Sequence, residues 1–327
     1  MKNKQRINKF ERSELMKINK EKVEEKIDSI AKGAKNIAVN VTDKTKGVVI
    51  KSKEKVVETM DVNGDGNIDI EDVIIMGLRT PGIKIKRDEF FHKELMKNYS
   101  ADVIAKAIET TPANAGINVK EIDLIADNVI KFERNCVSGI SAALGAPGGA
   151  AMAATIPADI IQYYGYMLRA TQKLMYLYGF PEIDVEEKDH GLDSETLNIL
   201  IICLGVMYGV AGANNAIKIM ANGLAKGISK KIMSTALTKG TIYPVVKNVA
   251  KWFGVKMTKS LLAGVVQKSL PVIGGVIGGG ITFVSFKPCC DKLKKSLQNT
   301  LLSNPNVEVA EEDIKIIENL ENENIDE

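Results

Sequence analysis

Apolar residues recur at helical spacing through almost the whole chain, and nowhere does it alternate apolar and polar residues as half-buried strands do. From Ile7 to about Met60, Phe10, Leu15, Ile18, Val23, Ile27 and Ile30 stand three to five residues apart in a charged background, which predicts one amphipathic stripe. Gly33 and residues 40–45 interrupt it, and residues 46–60 predict a helix running up to Asp61. A short helix is expected from Ile70, carrying Val73, Ile74 and Ile75 and stopping by Gly77 to Thr80, because Pro81 and Gly82 cannot continue it. Residues 88–110 predict two amphipathic helices parted near Asn98 to Ser100, with Ser100 as the cap of the second. Residues 119–144 predict a helix that starts charged and ends in small residues, followed by the breaker Gly145-Ala-Pro-Gly-Gly149. A long helix over 150–178 is expected to be lightly broken at Pro157 and ended by Gly179-Phe-Pro181, and an acidic linker from Glu182 to Glu195 leads to Leu197.

Two later stretches carry no charge at all: Leu197 to Ile217, twenty-one residues, and Ser269 to Phe286, eighteen. Each is about long enough to cross a bilayer core. Asn198, Asn214 and Asn215 in the first, and Pro271 with five glycines in the second, favour buried helices of a large core instead. Glycines four residues apart, Gly274 with Gly278, Gly275 with Gly279 and Gly205 with Gly209, predict close helix approach in either setting. The expectation is an all-α protein. A basic amphipathic region over 1–58 and a helix-loop-helix over 49–80 precede a large helical domain with Gly/Ala-rich close-packed helices over 85–305, and an acidic tail follows over 306–327.

Composition supports the helical class, since 327 residues contain only nine prolines and 5% aromatics, while 45% hydrophobic residues supply a core. The net charge of +3 conceals segregation. Residues 1–58 hold sixteen Lys/Arg against nine Asp/Glu, residues 201–300 hold fourteen lysines and the single acid Asp291, and residues 306–327 hold nine acids and only Lys315. A long, nearly acid-free, lysine-rich and apolar region suits an anionic membrane surface as a partner. Nucleic acid is not expected, because aromatics for base stacking are scarce and that region has no arginine. Met1 to Lys35 meets a charge every few residues and contains no apolar run like a secretion signal, so a cytoplasmic location, in part at the membrane, is expected. Cys136, Cys203, Cys289 and Cys290 lack metal-ligand spacing and are expected as reduced, buried thiols.

The chemistry concentrates in residues 61–72, Asp-Val-Asn-Gly-Asp-Gly-Asn-Ile-Asp-Ile-Glu-Asp. A hard cation that takes six to eight oxygens needs ligands at positions 1, 3, 5, 7, 9 and 12 of such a loop. Those positions are Asp61, Asn63, Asp65, the Asn67 carbonyl, Asp69 acting through a water, and Asp72. Gly66 sits where the sharp turn demands a glycine, with Ile68 turning inward beside it. Calcium is the expected ion and magnesium a competitor, since Asp72 is one methylene shorter than the usual glutamate. Such hands usually pair through position 8, and Ile68 has no partner loop in the chain, so either the hand packs on its own body or a second copy pairs with it as a homodimer.

The run Gly145-Ala-Pro-Gly-Gly-Ala, then Ile156-Pro-Ala-Asp159, then Tyr176-Leu-Tyr-Gly-Phe180, with Pro271-Val-Ile-Gly-Gly-Val-Ile-Gly, resembles the core and glycine-rich segment of the EcsC family of bacterial proteins over about residues 85–300. That family is known mainly for a member encoded beside an ABC transporter. The resemblance implies a cytoplasmic or membrane-peripheral helical protein, accessory to a transport system or another protein partner, and it implies no reaction. The loop also resembles a dockerin repeat, which closes with Asp at position 12 in the same way. A dockerin carries two such loops, however, and this chain has one.

No motif of nucleophilic, phosphate-binding or zinc-dependent catalysis is present, so a non-enzymatic protein is expected. His92 and His190 read as solvated surface residues. Asp159 is the one charge between Asn135 and Leu168, which leaves three readings open: a helix-capping acid after Pro157, the partner of a buried lysine from residues 218–259, or a functional carboxylate at the centre of an unknown reaction. Arg169 lies about 15 Å further along the same helix, too far for a direct pair.

Overall fold

The computed structural model describes the backbone of residues 61, 62, 66, 68–145, 151–185, 192–254 and 274–322, and their side chains apart from those of 142–145, 151–159, 274–281, 321 and 322. The amphipathic region over 1–58 and the helix leading into Asp61 lie outside the described residues, as does the breaker beyond Gly145. Everything regular among the described residues is helical, as the periodicity predicts.

The first helix, α1 (Ile70–Arg79), ends at Thr80 as the following Pro81-Gly82 demands. Its Ile70, Val73, Ile74 and Leu78 fall at i, i+3, i+4 and i+8 and are all at most 1% exposed. Two short helices follow, α2 (Arg87–Leu95) and α3 (Ala101–Glu109), and they pack on each other. Ser100 occupies the N-cap position of α3 but makes no side-chain cap hydrogen bond, contrary to the sequence expectation. The end of α3 is closed from the side instead. The buried Arg87 guanidinium donates to the carbonyls of Ala107 at 3.0 Å, Ile108 at 2.5 Å and Thr110 at 2.9 Å. Those carbonyls lie in the last turn of the helix, where orphan acceptors and the negative end of the dipole favour a cation.

Three long helices build the centre: α4 (Val119–Gly145), α5 (Ala151–Leu177) and α10 (Gly274–Gln298). α4 runs antiparallel to both partners. Glu133 faces Arg169 and Lys173 of α5, Tyr178 just beyond α5 donates to Asp123 at 2.5 Å, and Lys294 of α10 pairs with Asp127 at 2.6 Å. The α5 helix continues through Pro157, where a light break is expected from the sequence. Pro288 likewise sits inside α10; the carbonyl it leaves without a donor belongs to Val284, which is 72% exposed, so water can take its place.

Between α5 and α10 come α6 (Ser194–Tyr208), α7 (Ala213–Ala225), α8 (Lys230–Thr238) and α9 (243–254). α6 buries nearly every side chain from Thr196 to Met207, the signature of a helix apolar all round inside a core. The uncharged stretch from Leu197 to Ile217 is therefore not one helix. It stops at Gly209, whose φ of 72° lets Val210 N–H reach the Gly205 carbonyl at 2.8 Å and Gly209 N–H the Val206 carbonyl at 3.0 Å. Gly209 thus ends a helix rather than forming a packing pair with Gly205. Gly205 is the packing glycine, since a Cβ there would stand 2.8 Å from both Val249 methyls on α9. A last helix, α11 (Glu311–Asn322), packs on α7 and α8. Among the described residues no helix is long and apolar enough to cross a membrane. Residues 269–273 of the second uncharged stretch lie outside them.

Gly205→Ala is expected to destabilise the protein by about 1–3 kcal/mol through overpacking, and the double variant with Val249→Ala should recover part of that loss. Thermal unfolding of the four members of this cycle measures the coupling, and strictly additive effects would contradict the contact.

Candidate metal centre

Asp69 is the N-cap of α1: its Oδ1 accepts from Glu71 N–H at 2.7 Å and from Asp72 N–H at 3.3 Å. Asp72 answers from the third helical position, its Oδ2 accepting from Asp69 N–H at 2.9 Å, which completes a capping box made of two aspartates. The other oxygen, Asp72 Oδ1, accepts from Val62 N–H at 2.8 Å, ten residues back along the chain. Positions 1–2 and 12 of the twelve-residue run are therefore held side by side. On the opposite side Gly66 N–H donates to Asp61 Oδ2 at 2.8 Å, and Gly66 itself has φ of 82°, the left-handed region in which glycine is unstrained. Asp72 is fully buried, Asp61 and Asp69 half-buried, and Ile68 packs against the core.

Asn63, Asp65 and Asn67 lie outside the described residues. Among the described residues no three acids, histidines or cysteines gather to hold a metal ion. The donor chemistry of Asp61, Asp69 and Asp72 nevertheless suits a hard cation. Each carboxylate oxygen carries about two lone-pair sites; Asp61 Oδ2 and both oxygens of Asp72 accept at least one N–H each and Asp69 Oδ1 accepts two, so coordination would fall to the remaining sites.

The exit helix is fixed to the body more firmly than its ten-residue length suggests. Gly77 lets α1 cross α5 closely: a Cβ there would meet Leu168 Cδ1 at 3.0 Å and the Gly165 backbone at 3.4 Å. The chain after α1 is then taken up by one face of α5. Arg169 donates to the Gly82 carbonyl, Gln172 Nε2 to the Ile83 carbonyl at 3.1 Å, and Tyr176 to the Ile85 carbonyl at 3.2 Å, while Gln172 Oε1 accepts from Ile85 N–H at 3.0 Å. Beneath this lies an ionic cluster that sequence reasoning missed. The fully buried Glu133 accepts from Lys173 Nζ at 2.5 Å and Arg169 Nε at 3.1 Å. Burial holds the Lys173 ammonium below the ordinary lysine range, while Glu133 opposes that shift. The available signal was positional: Glu133 shares a helical face with the buried Ala126, Val129, Ile130 and Val137, where a lone acid has to find partners.

The remaining candidates do not assemble. His92 is exposed on α2, and His190 lies outside the described residues. Asp159 lies within α5, eight residues past its first residue, so it cannot cap that helix; its side chain is outside the described residues, which leaves the lysine-paired and functional readings untouched. All four cysteines are free thiols: Cys203 and Cys290 are buried as expected, Cys136 and Cys289 only partly. Burial pushes every one of these thiols above its usual range, away from nucleophilic reactivity. No family profile matches the chain, and no curated protein or solved structure is detectably similar to it.

Asp72→Ala removes the acceptor of two backbone N–H groups and should cost about 1–3 kcal/mol even in a chelator. Asp61→Ala opens only the exposed side of the loop and should cost less under the same conditions. Chemical denaturation in EDTA measures both, and equal losses would place the loop closure elsewhere than at Asp72.

Proposed function

We propose that this chain is a calcium-binding, non-enzymatic helical protein: an EcsC-like body carrying a single hand, working at an anionic membrane surface as an accessory to a transporter or another protein partner. The observation that supports the calcium reading is the closure of the loop by Asp72, whose two oxygens accept from the backbone N–H groups of Val62 at position 2 and Asp69 at position 9. Asp61, Asn63, Asp65, the Asn67 carbonyl, Asp69 and Asp72 would hold the ion. The four candidate ligand carboxylates, Asp61, Asp65, Asp69 and Asp72, repel one another within twelve residues that also hold Glu71, and a divalent cation would relieve that repulsion. A dissociation constant between about 10⁻⁶ and 10⁻³ M is expected, with magnesium competing. The packing of Ile68 on the core supports a hand seated on its own body over one paired with a second copy.

The membrane reading rests on the helices between α6 and α10. α7, α8 and α9, with the C-cap residues of the first two, carry Lys226, Lys230, Lys231, Lys239, Lys247 and Lys251, all exposed, with no acidic residue among them. Such a surface gains about 1 kcal/mol per lysine near anionic lipid and loses that attraction as salt screens it. A peripheral rather than a spanning protein is favoured by the short, enclosed α6.

Calorimetric titration should give saturable heat with calcium that Asp61→Ala abolishes; no heat at millimolar calcium, with the variant behaving identically, would sink the calcium reading. The membrane reading predicts co-flotation with phosphatidylserine liposomes at low salt, reduced by Lys231→Glu with Lys247→Glu and lost at high salt. Failure to float at low salt removes that part alone.

A further inference from the structure

The last helix places an acidic surface against a basic one. α11 buries an apolar side: Ile317 and Leu320 are 1% exposed, Ile316 packs beside them, and the helix lies on α7 and α8. Residues 308–320 hold five acids, Glu308, Glu311, Glu312, Asp313 and Glu318, against Lys315, a balance of four negative. Residues 213–239, which span α7 and α8, hold Lys218, Lys226, Lys230, Lys231 and Lys239 and no acid, a balance of five positive.

The chain is steered to this place before α11 begins. At the end of α10 the hydroxyls of Thr300 and Ser303 both donate to the Leu297 carbonyl at 2.8 Å, and Leu301 N–H donates to Asn222 Oδ1 on α7 at 2.8 Å. Pro305 then shares the lining of an open cavity of about 220 Å³ with Ala225, the last residue of α7 and the neighbour of Lys226. Glu311, Glu312 and Asp313 also suit the positive end of α11 itself, which is reason enough for acids in a first turn. It is no reason for Glu318, which lies in the half of the helix where the dipole disfavours an acid. Packed helices stand about 8–10 Å apart, about one Debye length at physiological salt, so the two surfaces attract without fixed ion pairs.

We propose that α11 is a resident cover whose carboxylates compete with anionic lipid headgroups for the lysines of α7 and α8, holding membrane attachment below what those lysines alone would give. The inference rests on the membrane reading above and adds to it a built-in restraint. Neutralising the cover exposes no new apolar surface, because Ile317 and Leu320 remain seated; it changes only the potential that an approaching anionic surface meets. The gain must therefore be lost at high salt.

The test is binding of the full chain, in EDTA, to phosphatidylcholine vesicles containing about one-third phosphatidylserine, measured by co-flotation across a salt series. Glu311→Gln with Glu312→Gln and Glu318→Gln, all exposed positions, should bind about tenfold more tightly than the parent at low salt and no more tightly at high salt. Glu318→Gln alone should give part of the gain, and it removes no first-turn acid, so fraying of α11 cannot account for it. Asp88→Asn with Glu89→Gln and Asp102→Asn makes the same change of charge at exposed positions of α2 and α3, helices that pack on each other and, through α2, on α5. That variant should gain no more than about twofold. Equal gains from the two triple variants, no gain from the first, or a gain that survives high salt would each overturn the inference. Binding by the parent without such a gain leaves the membrane reading standing, whereas no binding by parent or variant ends both.

Discussion

Arg169, Gln172 and Tyr176 stand three and four residues apart on one face of α5, and together they take up the backbone of Gly82, Ile83 and Ile85. A connection leaving a short helix normally lies in water, where its N–H and C=O groups find partners at no cost. Here Gln172 satisfies one donor and one acceptor of that connection and still donates to its own Leu168 carbonyl at 3.0 Å, so both its N–H groups and its oxygen are engaged. The consequence reaches the loop. α1 is held at its middle by the Gly77 crossing and at its end by this ladder, and the Asp69–Asp72 capping box sits on its first turn. The geometry of the loop's carboxyl-terminal half is therefore dictated by α5, a helix that begins eighty residues further on.

The ladder also explains why a buried ionic cluster is tolerated. Arg169 must point outward enough to reach Gly82 and inward enough to meet Glu133, and Lys173, one turn on, completes the neutralisation of that acid. An isolated buried carboxylate would cost several kcal/mol, and removing one partner of such a cluster is far more damaging than replacing the whole of it. The cluster fixes the antiparallel register of α4 and α5 in the same way that Asp127 and Lys294 fix that of α4 and α10. Register matters because the faces between these helices are otherwise small and apolar and could slide.

Much of this architecture was legible in the sequence. Helix positions follow from apolar periodicity, and the ends at Thr80 and Gly179 follow from glycine and proline, whose backbone preferences act locally. What was not legible depends on partners distant in sequence. Gly209 and Gly205 look alike in the chain, yet one terminates α6 and the other admits Val249, a difference decided by which residues α9 brings up. Ser100 has the right residue type for a cap but its side chain makes no cap bond, and the end of α3 is served by Arg87 from another helix. In the loop, Asp72 is readable as a candidate closing ligand, whereas its two backbone donors, Val62 and Asp69, emerge only from the fold.

The burial of α1 decides what an ion in the loop could do to the protein. Swinging α1 away from the body would expose Ile70, Val73, Ile74 and Leu78, each at most 1% exposed. At about 1.5–3 kcal/mol per side chain that costs roughly 6–12 kcal/mol before the Gln172 and Tyr176 hydrogen bonds are broken. A loop with a dissociation constant between about 10⁻⁶ and 10⁻³ M supplies about 4–8 kcal/mol in total. Only the part of that energy which differs between the two positions of α1 could drive a movement. The packing term is therefore the larger one, and an ion held by Asp61 and Asp72 would add to the existing closure instead of prising α1 open. An ion there would thus find the carboxyl-terminal side of the loop already committed to α5.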